Sequence, residues 1–160
     1  MKKIGLGVAA VFLLVLVSGF VLSQLQGSAS DQAKAGDCAR ITGVEDSPEY
    51  RAAACASDEA NVKIAKVLPR EDRACPTGGT PYSTFTGNAT FCLMPNFAEG
   101  NCYGQNPESG IAKVTCGTPN AVRVTKVVTG KSDPAACGKA RSATFPEPAV
   151  TFCLERGDGR

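Results

Sequence analysis

Eight cysteines are the residues of this 160-residue chain most able to do chemistry. They form no C-x-x-C pair, and the two closest in sequence, Cys92 and Cys102, are ten residues apart. Local zinc sites and thioredoxin-type redox motifs both need a close pair to bring two sulfurs onto one turn. We therefore predict structural disulfides, with no metal site and no cofactor, made by Cys38, Cys55, Cys75, Cys92, Cys102, Cys116, Cys137 and Cys153.

The remaining candidates for chemistry are carboxylates, because the chain has no His. The usual Ser and Cys triads depend on His for proton transfer near neutral pH, so they are excluded. Three acidic pairs could replace it, but each consists of sequence neighbours in a turn-rich stretch, which predicts solvated loop charges. We predict no catalytic residue, with thiol–disulfide exchange or carboxylate-based hydrolysis as the enzymatic alternative. The pairs are Glu45–Asp46, Asp58–Glu59 and Glu71–Asp72.

The N-terminus determines the compartment in which these cysteines fold. Lys2 and Lys3 precede an uncharged run from Ile4 to Leu22, which would span about 28 Å as a helix, close to a bilayer core. The two lysines favour a cytoplasmic N-terminus. We predict a transmembrane signal-anchor over residues 1–23 in the cell membrane, with the rest of the chain extracytoplasmic. Cleavage near residues 28–30, which would give a secreted protein, is the alternative.

Export makes disulfides the default fate of an even number of cysteines. The charge of the exported part argues against a polyanionic partner. Beyond residue 30, the 15 remaining Lys and Arg (all of the 17 except Lys2 and Lys3) equal the 15 Asp and Glu, and they are dispersed. Nucleic-acid binding requires clustered cations, so it is not predicted.

The chain is duplicated. The first four cysteines are separated from the second four by 64, 61, 62 and 61 residues, and "VKIAKVL" at Val62 returns as "VRVTKVV" at Val122. This period is too long for the usual solenoid repeats. We predict a flexible linker over 24–35, disulfide repeat 1 over 36–97, disulfide repeat 2 over 98–155 and a flexible tail over 156–160.

Repeats this small need covalent support, because core burial alone is marginal at about sixty residues. Within each repeat we favour a bond from first to second cysteine and from third to fourth, although four cysteines permit three pairings. Each such loop would contribute roughly 3 kcal/mol in the chain-entropy model. The favoured bonds are Cys38–Cys55, Cys75–Cys92, Cys102–Cys116 and Cys137–Cys153.

The fold class predicted is α+β and mostly β: an N-terminal transmembrane helix followed by two tandem, β-rich, disulfide-stapled domains. Alternating Val62 and Ile64 around Lys63 predict a strand, as do the same positions of the second copy. Apolar residues become consecutive after Lys66, which predicts a bulge or two-sided burial. Ser57 as an N-cap predicts one short helical turn. Packing about a pseudo-twofold axis is the expected arrangement.

The ordered series "GDC", a cysteine, "ANVKIAKVL", then a cysteine and "FCL", followed by a second round, spans Gly36 to Leu154. It resembles the LppU-like membrane-anchored or lipoprotein family of actinobacterial cell envelopes. Its opening is also similar to septum-formation-type domains, which usually carry a His that this chain lacks. The resemblance implies an envelope location and no particular activity.

The function predicted is a non-catalytic, membrane-anchored extracytoplasmic envelope protein with a binding or structural role. Its expected partners are the membrane, through the N-terminal helix, and an envelope protein or glycan. A secreted, signal-cleaved two-domain binding or inhibitor protein is the alternative.

Overall fold

The computed structural model describes residues 30–43 and 47–157 of the chain. The predicted anchor at residues 1–23 and the first half of the predicted linker, residues 24–29, lie outside this part, as do residues 44–46 and 158–160. Within the described ranges, no helix is long and apolar enough to cross a membrane.

The first half forms a five-stranded antiparallel sheet with the strand order β2-β1-β3-β5-β4. Its central strand, β3, is the predicted "VKIAKVL" strand, and "FCL" lies in β5. The strands are β1 (Cys38–Thr42), β2 (Glu49–Ala53), β3 (Val62–Pro69), β4 (Ser83–Thr86) and β5 (Ala89–Pro95).

The second half repeats this topology, with the order β7-β6-β8-β10-β9. The mostly β, duplicated architecture predicted from the sequence is therefore present. A short 3-10 helix, η1, precedes β9 and is capped by Asp133, whose Oδ1 accepts the N–H of Ala135 at 2.9 Å. The elements are β6 (Cys102–Asn106), β7 (Gly110–Val114), β8 (Val122–Thr129), η1 (Pro134–Cys137), β9 (Arg141–Pro146) and β10 (Ala149–Arg156).

Each central strand carries a β-bulge at an equivalent position. The register of β3 against β5 skips Ala65, and the register of β8 against β10 skips Thr125. The bulges thus lie one residue before Lys66 and Lys126, whereas the consecutive apolar residues after these two lysines predicted a bulge or two-sided burial there. Ala65 faces away from its neighbour Ile64, as alternation along a strand requires, and packs in the core shared with the second half. The extra residue places Lys66, which pairs with Glu147 of the second half, on this same face.

Four disulfides join the pairs favoured from the sequence. Cys38–Cys55 and Cys102–Cys116 tie the first strand of each half to the turn after the second strand. Cys75–Cys92 and Cys137–Cys153 tie the long connection in each half to its last strand. Their Cα–Cα distances of 5.0 to 5.7 Å fall within the usual range for disulfides.

The first sheet is strongly curled, and its concave face holds the first core. Its edge strands β2 and β4 would lie roughly 19 Å apart in a flat sheet with a spacing of about 4.8 Å. The rings of Tyr50 on β2 and Phe85 on β4 nevertheless meet, with centroids 5.7 Å apart. The buried members of this core are Ala39, Ile41, Val62, Ile64, Phe85, Phe91 and Leu93.

The second core contains residues from both halves. Val124, Phe145 and Phe152 of the second sheet pack with Ala65 and Met94 from the first. Ala65 is the bulge residue, and Met94 alternates with the inward-facing Leu93, so both belong to the convex face of the first sheet. The second sheet therefore packs against the back of the first.

This arrangement differs from the pseudo-twofold packing expected from the duplication. A twofold relation would require Met94 and its counterpart Glu155 to make reciprocal contacts. Lys63 pairs with Met94 and Arg123 pairs with Glu155, so the two positions are equivalent in register. Met94 is buried in the second core, whereas Glu155 is exposed. A carboxylate at this position cannot enter an apolar core without a large desolvation cost.

The structure moves the predicted boundaries by a few residues. Ala33, assigned to the linker, packs on the first core, and Phe97, assigned to repeat 1, packs on Tyr103 and Phe152 of the second half. The predicted tail begins too early, because β10 continues to Arg156 and Gly157 exchanges main-chain hydrogen bonds of 2.7 Å with the segment before β8.

The short helical turn predicted after Ser57 is a non-helical turn. The N–H of Ala60 donates to the carbonyl of Ser57 at 3.1 Å, and the Ser57 hydroxyl accepts from Glu59 N–H at 3.2 Å. The capping chemistry is present, but Val62 begins a strand two residues after Ala60. Because the backbone becomes extended at Val62, the hydrogen-bonded turn at Ser57 cannot continue as a helix.

Candidate functional site

All eight cysteines are used in disulfides, and no free cysteine is present. Cys38, Cys92, Cys102 and Cys153 are at most 3% exposed. Their partners are less buried: Cys55 and Cys116 are exposed, and Cys75 and Cys137 are half-buried. Each bond therefore links a buried strand position to a surface loop.

The candidate carboxylates lie on the surface and face cations or their own turns. Asp58 pairs with Lys113 at 2.7 Å, and its neighbour Glu59 approaches Arg40 at 3.9 Å. Asp72 accepts the N–H of Ala74, two residues on, at 2.9 Å. Glu45–Asp46 lies outside the described residues. Over the described part of the chain, no group of three or more metal-binding side chains is brought together.

Polar contacts join the two halves at several points, and one is centred on Glu147 at the tip of the β9–β10 hairpin. Its carboxylate accepts from Lys66 at 2.8 Å, and this hydrogen bond raises the pKa of the Lys66 ammonium. The hydroxyl of Tyr82 donates to the Glu147 carbonyl at 2.8 Å and accepts its N–H at 3.0 Å. Burial against Phe145, 5.1 Å away, raises the pKa of the Tyr82 phenol.

The long connection of the first half adds a main-chain contact to β9. Thr80 N–H donates to the Thr144 carbonyl at 2.7 Å, and Thr144 N–H donates to the Thr80 hydroxyl at 3.0 Å. Gly79 permits this approach, because a Cβ there would lie 2.4 Å from the Thr144 oxygen. The edge of β9 is thus partly covered by the other half of the chain.

Asn61 is a buried polar side chain that ties the first sheet to the tip of the β6–β7 hairpin. Its Oδ1 accepts the N–H of Ile41 at 2.9 Å, and its Nδ2 donates to the Ile41 carbonyl at 2.9 Å and to the Ser109 carbonyl at 3.1 Å. The second half has Ala121 at the equivalent position, directly before its central strand. Asn61 therefore gives the first half two hydrogen bonds to Ile41, and one to the second half, that alanine at position 121 cannot make.

A groove of about 500 Å³ lies beside Asn61, where the β6–β7 hairpin approaches the end of the first sheet. We call it the junction groove. The described residues of its lining are uncharged and combine apolar side chains with hydroxyls and one amide, a composition common in ligand sites. Prominent apolar members are Ile41, Val62, Leu93, Met94 and Ile111, and the polar members are Ser83, Thr84, Gln105 and Ser109.

A second concave surface of about 590 Å³ lies beside the first disulfide, between the segment before β1 and strand β2. We call it the first socket. Asp37 and Tyr50 line it together with the small residues Ala33, Ala52 and Ala54. Burial, and the nearby charge of Asp37, raise the pKa of the Tyr50 phenol. Among the described residues, the lining of this surface contains one anionic group and no Lys or Arg.

Sequence reasoning named neither surface, because both depend on residues that differ between the copies. An alignment of the two copies shows these differences in the sequence: Asn61 against Ala121, Met94 against Glu155, and Ala52 against Lys113. Departures from a duplicated pattern mark positions where the two copies have different neighbours.

No family model, no curated protein and no solved structure matches the chain.

Proposed function

We propose that this chain is a non-catalytic binding module of the cell envelope, held at the membrane by its N-terminal segment, with the junction groove as its ligand site. The observation that carries the proposal is the groove itself: a concave, uncharged, largely apolar surface built jointly by the two halves. Such a surface gains affinity by excluding water from aliphatic side chains, and its few polar groups orient the ligand.

The chemistry of the lining favours an extended protein segment with an aliphatic side chain. Ile41, Leu93 and Met94 offer apolar contact, while Gln105 and Ser109 can hydrogen-bond to a peptide backbone. An envelope glycan is the other partner class predicted from the sequence, and it serves as an outcome of the test.

The disulfides support an extracytoplasmic location, because such bonds persist in oxidising compartments. The uncharged run from Ile4 to Leu22 supports a membrane anchor, and the ordered cysteine motifs support membership of the LppU-like envelope family. Fractionation of intact cells tests the location: we expect the full-length chain in the membrane fraction, with its C-terminus accessible to added protease. A shortened chain in the medium would identify the secreted form instead.

Photo-crosslinking in the native envelope tests the ligand site. A photoreactive amino acid replaces Gln105, an exposed member of the groove lining, in the full-length chain. Lys139, an exposed residue outside the junction groove, provides the matched control position. We expect a discrete protein adduct at position 105 and none at position 139.

A blocking variant makes the result specific. Thr84 is exposed and lines the groove from β4, so Thr84→Trp should fill the site and remove the adduct at position 105. An adduct that resists protease but not glycan-cleaving enzymes would assign the groove to a glycan. Equal adducts at both positions, or none at position 105, would refute the proposed site.

A further inference from the structure

The first socket has a counterpart in the second half, because the segments that line it are equivalent. Gly36 N–H donates to the Ile64 carbonyl at 2.8 Å, and Gly100 N–H donates to the Val124 carbonyl at 2.7 Å. Ala52 on β2 pairs with the residue after Cys38, and Lys113 on β7 pairs with the residue after Cys102. Ala52 and Lys113 are therefore equivalent positions in the two halves.

In the second half, this counterpart surface is occupied by the first half. The turn at residues 55–60 lies against Asn101 and Lys113 and leaves a space of only about 80 Å³. Asp58 of that turn accepts a hydrogen bond from Lys113 at 2.7 Å, which raises the pKa of the Lys113 ammonium. The chain therefore already shows how a socket of this kind receives its occupant: a disulfide-linked turn enters and presents one charged side chain.

The first socket has the equivalent main-chain framework but the opposite charge. Ala52 stands where the second half has Lys113, and Asp37 stands where it has Asn101. The main-chain oxygens of Asp37 and Asn101 accept equivalent hydrogen bonds, from Ile64 at 2.8 Å and from Val124 at 2.9 Å. A cation has thus been replaced by a methyl group, and a neutral amide by a carboxylate.

This charge pattern selects a cationic occupant. One oxygen of Asp37 accepts the N–H of Lys34 at 3.0 Å, and the charge of its carboxylate remains to attract an approaching cation. The ring of Tyr50 lines the same socket and offers a face for a cation to pack on. Ala52, Ala53 and Ala54 leave room for a turn to enter.

We propose that the first socket receives a turn of a partner protein that carries a lysine or arginine side chain where Asp58 lies in the second-half contact. A second copy of this chain does not fit. Its free turn between Cys116 and Val122 has no charged residue, and its convex face carries Glu155 where the docked face carries Met94. This inference concerns a surface separate from the junction groove and does not depend on it.

The test uses two cyclic peptides based on residues 56–61: one with the native sequence ASDEAN and one in which lysine replaces the residue corresponding to Asp58. Each is titrated into the isotopically labelled full-length chain in detergent micelles, and binding is followed through amide chemical shifts. We expect the lysine peptide to shift the amides of Asp37 and residues 52–54. It should bind at least about threefold more tightly than the native peptide, as expected for one exposed ion pair gained and one repulsion removed.

A charge-reversal variant makes the result decisive. Ala52→Lys recreates the lysine of the second half, so this variant should prefer the native aspartate peptide. Asp37→Asn should lose the preference for the lysine peptide, while Thr84→Trp, at the junction groove, should leave both affinities unchanged. Retention of the original preference by Ala52→Lys would overturn the proposal, as would shifts confined to residues outside the socket.

The chain's own N-terminal segment is the competing occupant, and cleavage distinguishes it. A protease site introduced before residue 30 allows the segment to be removed from the folded chain. Binding of the lysine peptide both before and after cleavage supports a partner turn. Binding that begins only after cleavage would assign the socket to the N-terminal segment and refute the proposal.

Discussion

Replacement of Asn61 by alanine tests the contact that joins the first sheet to the β6–β7 hairpin. The side chain is 9% exposed and makes three hydrogen bonds, two with the main chain of Ile41 and one with the Ser109 carbonyl. A typical hydrogen bond contributes about 1 kcal/mol net, and a buried group left without a partner costs about 1–3 kcal/mol. Asn61→Ala should therefore lower the free energy of unfolding by about 3 kcal/mol.

Equilibrium unfolding in urea, with the disulfides intact, measures this loss. The native backbone accommodates alanine, because the second half has Ala121 at the equivalent position. Asn61→Asp should be at least as destabilising as Asn61→Ala, because its buried carboxylate would face the Ile41 and Ser109 carbonyl oxygens to which the amide now donates. Amide hydrogen exchange supplies the local readout, and the Ile41 amide should lose protection in the alanine variant.

Asn101→Ala provides the control, because Asn101 is held through its main chain, which donates to Ala98 at 3.3 Å and accepts from Val124 at 2.9 Å. It should change the free energy of unfolding by less than about 0.5 kcal/mol. A loss below about 1 kcal/mol in Asn61→Ala, together with unchanged protection of Ile41, would refute the role assigned to Asn61.

Three further predictions follow from other contacts. Gly79→Ala should weaken the contact with Thr144, because the new Cβ would lie 2.4 Å from the Thr144 carbonyl oxygen. Hydrogen exchange of the Thr80 amide should then become faster, and unchanged exchange would contradict this prediction. Removing the Cys38–Cys55 disulfide should lower the free energy of unfolding, measured in urea, by about 3 kcal/mol. Removing Cys102–Cys116 should give the same loss to within about 0.2 kcal/mol, because the two loops are similar in length. A severalfold difference between the two losses would contradict this explanation by loop length. The raised pKa of Tyr82 contributes stability that is present below pH 10 and is lost as pH rises through the folded pKa. Tyr82→Phe should therefore reduce the decline of the unfolding free energy at alkaline pH. An unchanged decline would refute this contribution of Tyr82.

The repeated strands were predictable from local pattern, because alternating β-branched residues such as Val62 and Ile64 specify a half-buried strand wherever they occur. The disulfide pairs were also accessible, because short loops between neighbouring cysteines are the simplest closures of a small repeat. The bulges lie before Lys66 and Lys126 and not after them, because the position of a bulge depends on cross-strand register, which sequence spacing does not encode. The turn after Ser57 was misassigned as helical, because the following strand competes for the same backbone.

The sequence by itself determined what depends on neighbours along the chain: the duplication, the strands, the cysteine framework and the lack of histidine chemistry. Tertiary structure alone decided how the halves meet and which surfaces stay open. Met94, Asn61 and Asp58 each make a contact with a residue of the other half, far away in the sequence. Such contacts depend on which face of each curled sheet is apolar, and the exchange of Met94 for Glu155 makes only one of the two convex faces suited to an apolar core.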